Sequence, residues 1–247
     1  MLLEAVLSKR FFILSLLLAS FLFCDIPTLE QITKSSPQEW IQKGDRWTFK
    51  DRFEDQRDEI YPLLDSMEMF ETKWASEKHY DYAFVLGALH GAVEMRIHHI
   101  VEEWKRGIRF DNLVFLTGQR PLNIEKEKEF LSLKNETAMM VHVWETTEMP
   151  PELRAIPLTI VDAPPLPLRG RPTTESTVYA WLEMSPEPGS ILMVSSQPYV
   201  GYQKAVLGTL LPLFEIEGVG QEGGRTLPIS ILLDTIGKEV TWSKARP

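Results

Sequence analysis

Cysteine is nearly missing from this chain of 247 residues: Cys24 is the only one. Beyond Cys24 the chain can hold no disulfide, no thiol nucleophile and no thiolate metal site. Histidine is scarce too, at five, and no two of the five have a convincing spacing for a metal ion. Glu94 and His98 lie four apart, which supports a helix as readily as it makes a ligand pair. His98 and His99 are adjacent and point to different faces of a helix. There is no G-x-S-x-G elbow, no G-x-x-x-x-G-K-[ST] loop and no H-E-x-x-H, so the commonest hydrolase, nucleotidase and zinc-protease signatures are excluded. Positive charge is in deficit. The net charge is −9, which argues against a nucleic-acid partner spread over a broad surface and leaves a local cluster as the way to hold an anion. Internal repeats and low-complexity tracts are absent as well.

What is present starts with a signal. Lys9 and Arg10 precede "FFILSLLLASFLFC", an uncharged run of fourteen residues. A basic flank and a short apolar core are the pattern of an export segment, and the run falls short of the ~20 residues that span a bilayer. Residues 1–24 are expected to be a cleaved signal peptide or else a retained N-terminal membrane anchor. Phe23 stands where a lipidated cysteine needs a small residue before it. Export without disulfides points to a bacterial envelope, with the chain periplasmic or anchored in the inner membrane and facing the periplasm. The triplet "NET" at Asn135 matches a glycosylation sequon.

Residues 25–80 are polar and rich in charge and aromatics. Ile60, Leu63, Leu64, Met67 and Phe70 recur at helical spacing, which predicts a helical extension packed on the main domain. From 81 to 247, strand and helix patterns alternate. The strand-like runs are 82–88, 112–118, 157–163, 190–196 and 213–220. Helical patterns lie at about 91–106, 124–147, 174–184, 198–211 and 228–240. The runs are mostly apolar on both faces, as buried parallel strands are. The expected fold is α/β, a Rossmann-like, doubly wound, mainly parallel five-stranded sheet with an N-terminal helical extension.

In such sheets ligands sit beyond the carboxyl ends of the strands, near the reversal of strand order. The residues there are therefore the candidates. The first run ends in Gly87, Ala88, His90 and Gly91, a turn that lets backbone N–H groups approach an anion or is only a turn. The full dinucleotide fingerprint is missing. The second run ends in Thr117, Gly118, Gln119 and Arg120. The third leads into the proline-rich loop "DAPPLPLRGRP", with Arg169 and Arg171, and the fourth ends in Ser195, Ser196, Gln197 and Tyr199. Arginines and hydroxyls on one edge suit an anionic ligand, because the guanidinium donates in pairs; solvated surface arginines are the alternative. Glu136 and Glu175 each open a helix, where an acid is favoured by the helix dipole and where Thr173 or Thr174 makes a good cap.

The order of these motifs resembles the SanA/YdcF-like family of bacterial envelope proteins, which also includes ElyC. The counterparts are "FVLGA" at 84–88, Arg96 in the next helix, "FLTGQ" at 115–119, "NETAMM" at 135–140, "PTTES" at 172–176 and "VSSQPY" at 194–199. Several positions depart from the family pattern. Ser176 replaces an asparagine, Tyr199 a histidine and Tyr202 an arginine, and the turn at Gly118 has one glycine where the family has two. The resemblance implies a role in cell-envelope biogenesis or integrity. It implies a pocket that takes S-adenosylmethionine or another nucleotide-like, anionic small molecule, with envelope proteins as further partners. The strand-end reading and the resemblance together mark Gly87, Ala88, His90, Gly91, Arg96, Gly118, Arg120, Glu136, Thr173, Glu175, Ser195, Ser196 and Tyr199. A hydrolase or transferase acting on a phosphorylated envelope metabolite is the alternative, although Tyr199 and Tyr202 stand where the family has its histidine and arginine.

Overall fold

The computed structural model describes residues 25–43, 51–167 and 169–245. The expected export segment, with Cys24, lies outside them. Among the described residues no helix is long and apolar enough to cross a membrane. The described residues fall into two compact units, one made of those up to Phe70 with Arg225–Lys238, the other of those from Glu71 to Gly224 with 239–245.

The first unit is helical. Residues 25–33 are helical, Pro37–Trp40 forms one turn, and α1 is Arg57–Ser66. The apolar spacing read in the sequence places Ile60 and Leu64 fully buried on α1. Met67 and Phe70 are buried beyond its end, where Glu68 takes φ 53° and breaks the helix. Trp40 is fully buried, and its indole N–H is satisfied by Thr33 Oγ1 at 3.1 Å and Ser35 Oγ at 2.9 Å. The segment 225–238 is tied in by polar bonds. Gln42 N donates to Asp234 Oδ1 at 2.8 Å, and Arg52 N donates to Ser230 Oγ at 2.8 Å.

The second unit holds a five-stranded, all-parallel sheet: β1 His79–Leu86, β2 Arg109–Gly118, β3 Leu158–Ala163, β4 Ser190–Ser196 and β5 Glu215–Gln221, in the order β3-β2-β1-β4-β5. The connecting helices are α2 His90–Lys105, α3 Glu136–Thr146, α4 Thr174–Leu182 and α5 Val200–Leu210; α6, Ile229–Ala245, runs through the boundary between the units. Pleating divides the core in two. Ala83, Val85, Leu113, Phe115, Leu192 and Val194 pack with α2 and α3, while Phe84, Leu86, Val114, Leu116, Ile191 and Met193 pack with α4 and α5. Both faces of the sheet are covered at its centre, which is why β1, β2 and β4 read as apolar runs over most of their length. The chain winds outward from β1 to β3 over one face, then returns to β4 beside β1 and winds outward again over the other. The order therefore reverses between β1 and β4.

One predicted helix is shorter than its sequence pattern. Over 124–147 only α3 is α-helical, preceded by a 3-10 turn at Lys128–Phe130. Asn123 Oδ1 accepts the N–H groups of Glu125 and Lys126, which closes an Asx turn in place of a first helical turn. Asn135 then starts α3 afresh, its side chain accepting from Ala138 N at 3.0 Å. That cap leaves Asn135 buried, so the sequon side chain is spent on the helix. β1 and β2 begin three residues earlier than their apolar runs, at His79 and Arg109, which pair in register. Their mixed starts, "HYD" and "RFD", hide the strands from an apolar search.

Candidate functional site

Beyond the reversal of strand order lie Gly87 after β1, Ser196 at the end of β4, and the starts of α2 and α5. Arg96 spans this place. Helical side chains lean toward the N-terminus of their helix, so Arg96, on the second turn of α2, reaches back to the strand ends. Its Nη1 donates to the carbonyls of Leu86 at 2.7 Å and Gly87 at 3.0 Å, and its Nη2 lies 3.4 Å from Ser196 Oγ. The guanidinium is almost wholly buried. A positive charge held at the C-terminal carbonyls of β1, touching the last hydroxyl of β4, stitches the two strands at their divergence.

Glu136 sits next to it. Its Oε1 accepts from Thr117 Oγ1 at 3.2 Å, and its Oε2 accepts from Arg120 Nε. A Cβ on Gly87 would lie 2.3 Å from Glu136 Oε1. The glycine is thus set by the approach of this carboxylate. Gly118 is demanded in the same way, since a Cβ there would come within 2.5 Å of the Ala163 carbonyl and 2.6 Å of Pro172 Cγ. Gly91 is different: it is exposed, and a Cβ would meet open space.

Arg120 joins two acids. Its Nη1 and Nη2 donate to Glu127 at 2.9 and 3.0 Å, and Nη2 also donates to the Ala88 carbonyl at 3.0 Å. Glu127 in turn accepts from His90 N, in the first turn of α2, at 3.0 Å, and from Asn123 N at 2.6 Å. The predicted anion-binding turn therefore already holds a carboxylate, and it is the chain's own. The His90 ring stacks on Phe130 with centroids 4.0 Å apart. Burial works to raise Glu127, but the Arg120 guanidinium and the backbone N–H groups of Asn123 and His90 outweigh it and hold the carboxyl below its ordinary range. Glu136 goes the other way. Burial pushes it up, and one arm of Arg120, the Thr117 hydroxyl and the Arg96 charge do not bring it back. Two acids share one guanidinium, and their environments push them apart.

No protein-family model, curated protein or solved structure matches this chain.

Gly87, Ala88, His90, Arg96, Arg120, Glu136 and Ser196 are therefore joined by direct bonds or close approach at the ends of β1, β2 and β4. Ser195 is one pleat out of phase with Ser196. It faces α5, where its hydroxyl donates to Gln203 Oε1, and it is buried. Tyr199 is half-buried at the start of α5, its N–H donating to the Ser196 carbonyl at 2.9 Å. Thr173 caps α4: its Oγ1 accepts from Ser176 N at 3.2 Å, and Ser176 Oγ accepts from Thr173 N at 2.9 Å. Ser176 thus completes a capping box. Glu175 is exposed in the first turn of α4. Through the Pro172–Gly118 packing this helix starts above the β2 and β3 ends, one strand away from the reversal. Sequence reasoning missed Glu127. It lies in the run "EKEKE", 125–129, where three acids alternate with lysine and nothing local sets the middle one apart.

Proposed function

We propose that this chain is an exported, envelope-associated protein of the SanA/YdcF-like kind that binds an anionic or nucleotide-like small molecule at the C-terminal edge of its sheet. The observation that carries the reading is the buried Arg96, bonded to Leu86, Gly87 and Ser196 where the strand order reverses. A buried cation between two diverging strands, flanked by the first turns of α2 and α5, suits a phosphate or carboxylate group. S-adenosylmethionine fits less well. Nucleotide sites in such sheets use an acid for the ribose, and the buried acids described at these strand ends, Glu127 and Glu136, are both engaged by Arg120. The reading therefore keeps to the anionic group.

The test is native mass spectrometry of the purified protein for a retained small molecule, followed by titration of that molecule, or of a panel of nucleotides and sugar phosphates, against wild type, Ser196→Ala and Glu175→Gln. Loss of a hydrogen bond to a charged group costs about 1.5–3 kcal/mol, or roughly tenfold to a hundredfold in affinity. Ser196→Ala is expected to lose that much. Glu175→Gln loses as much if the ligand reaches α4, and otherwise costs only a few tenths of a kcal/mol of stability. Wild type that retains nothing and binds nothing in the panel sinks the reading. Export is checked separately with a reporter fused after Pro247; activity confined to the cytoplasm excludes it.

Glu136 favours a second reading, a hydrolase or transferase acting on a phosphorylated envelope metabolite. A buried acid with a raised pKa at a strand end is equipped to hold and hand over a proton. Turnover of phosphate esters by wild type and its loss in Glu136→Gln support this reading; inert wild type removes it.

A further inference from the structure

Between residues 119 and 134, Glu127 is the only buried residue. Apolar side chains fasten this segment only in part. Leu122, Phe130 and Leu133 are half-buried against the core, while Ile124 is 74% and Leu131 46% exposed. The segment instead closes on a single acid. Glu127 is met by two guanidinium N–H groups of Arg120, by Asn123 N and by His90 N. Beside that latch the Phe130 ring stacks on His90, with a tilted neighbour in His142. Asn123 N belongs to the segment itself, whereas the Arg120 guanidinium is anchored outside it by Glu136 and the Ala88 carbonyl and stays with His90 N; its planar, paired N–H groups fit a carboxylate. This donor set includes the first turn of α2, next to the reversal of strand order.

We infer that the segment 121–134 is a strap that inhibits the site by placing Glu127 on the Arg120 guanidinium and the His90 N–H, where a ligand carboxylate binds, and that such a ligand gains entry by exchanging with Glu127 and releasing the strap. The location rests on the proposed site; the exchange does not. A segment fastened by charge to a shared donor set opens when a competing anion takes those donors, whereas one fastened by apolar burial does not. The ligand class is thus a small molecule bearing a carboxylate.

Trypsin cuts after Lys126 and Lys128, both exposed and flanking Glu127, so the strap reports its own opening. In Glu127→Gln, cleavage there is expected to be about tenfold faster than in wild type, and in wild type sodium acetate is expected to speed it relative to sodium chloride at equal ionic strength. In Glu127→Ala, acetate is expected to raise the melting temperature saturably by refilling the vacated donors, while chloride does not. Cleavage of Glu127→Gln at the wild-type rate overturns the strap. Acetate acting no differently from chloride on Glu127→Ala overturns the exchange, and inorganic phosphate outperforming acetate overturns the carboxylate assignment. The proposed site fails separately. If wild type binds no nucleotide or sugar phosphate while the acetate results hold, that reading falls and the strap stands. A carboxylate-bearing ligand that binds wild type and Glu127→Gln equally overturns the strap and leaves the site.

Discussion

Gly87 and Gly91 look alike in the sequence, two glycines around the start of one helix, and the structure gives them opposite roles. An alanine methyl at 87 would displace the Glu136 carboxylate from Thr117 and Arg120. Gly87→Ala is expected to cost about 1–3 kcal/mol, as overpacking with a lost polar bond does. Gly91→Ala meets open space in the first turn of α2 and is expected to gain up to about 1 kcal/mol. Urea unfolding of the two variants checks both signs; equal effects would refute the assignment. The two acids around Arg120 also make a pH test. Glu127 is depressed in the folded state, so its contribution is present above the unfolded pKa and is lost as pH falls through the folded value. Glu136 is raised, so its contribution is present below the unfolded pKa and is lost as pH rises through the folded value. Glu127→Gln should therefore flatten the acid limb of the stability curve, and Glu136→Gln should flatten the limb above it. A Glu127→Gln variant as acid-sensitive as wild type would contradict the pairing.

At the scale of elements, all five strands were legible as short runs rich in apolar residues between helical patterns, although the first residues of β1 and β2 are mixed and β5 carries Glu215 and Glu217. The helices between them were legible too, except where polar side chains bond to the nearby backbone. The pattern over 124–147 looks helical because glutamate and lysine are good helix formers. Asn123 and Asn135 decide otherwise, each accepting backbone N–H groups that a continuous helix would need. Thr173 and Ser176 do the same at the start of α4, and there the cap was visible in the sequence. Asn135→Ala should cost about 0.5–2 kcal/mol through loss of the α3 cap, while Asn135→Asp should keep most of the stability. Because Glu136 is the next residue, cap loss should also loosen the Glu136–Arg120 pair, seen as faster amide exchange at the start of α3 than of α5. Unchanged exchange there would mean that Arg120 alone positions Glu136.

For the whole molecule, alternation of strands and helices implied a parallel sheet, but strand order was not legible, because each run is apolar on both sides and so matches any neighbour. Only the order β3-β2-β1-β4-β5 shows which strand ends meet. It brings Arg96 and Ser196 together across a hundred residues of chain and leaves Glu175 above other strands. The charge balance was legible from the start and carries the last prediction. A chain with net charge −9 repels an anion at long range, while the buried Arg96 attracts it at short range. Raising ionic strength from about 10 mM to about 150 mM shortens the screening length from roughly 30 Å to roughly 8 Å. That weakens the long-range repulsion and leaves the buried contacts, which are screened far less. Affinity for a small anionic ligand should therefore hold steady or rise modestly across this range. Binding through an open basic surface behaves in the opposite way, falling about tenfold or more as counterions compete. Calorimetric titration at the two salt concentrations separates them. A steep loss of affinity would place the ligand on exposed lysines and arginines and away from Arg96.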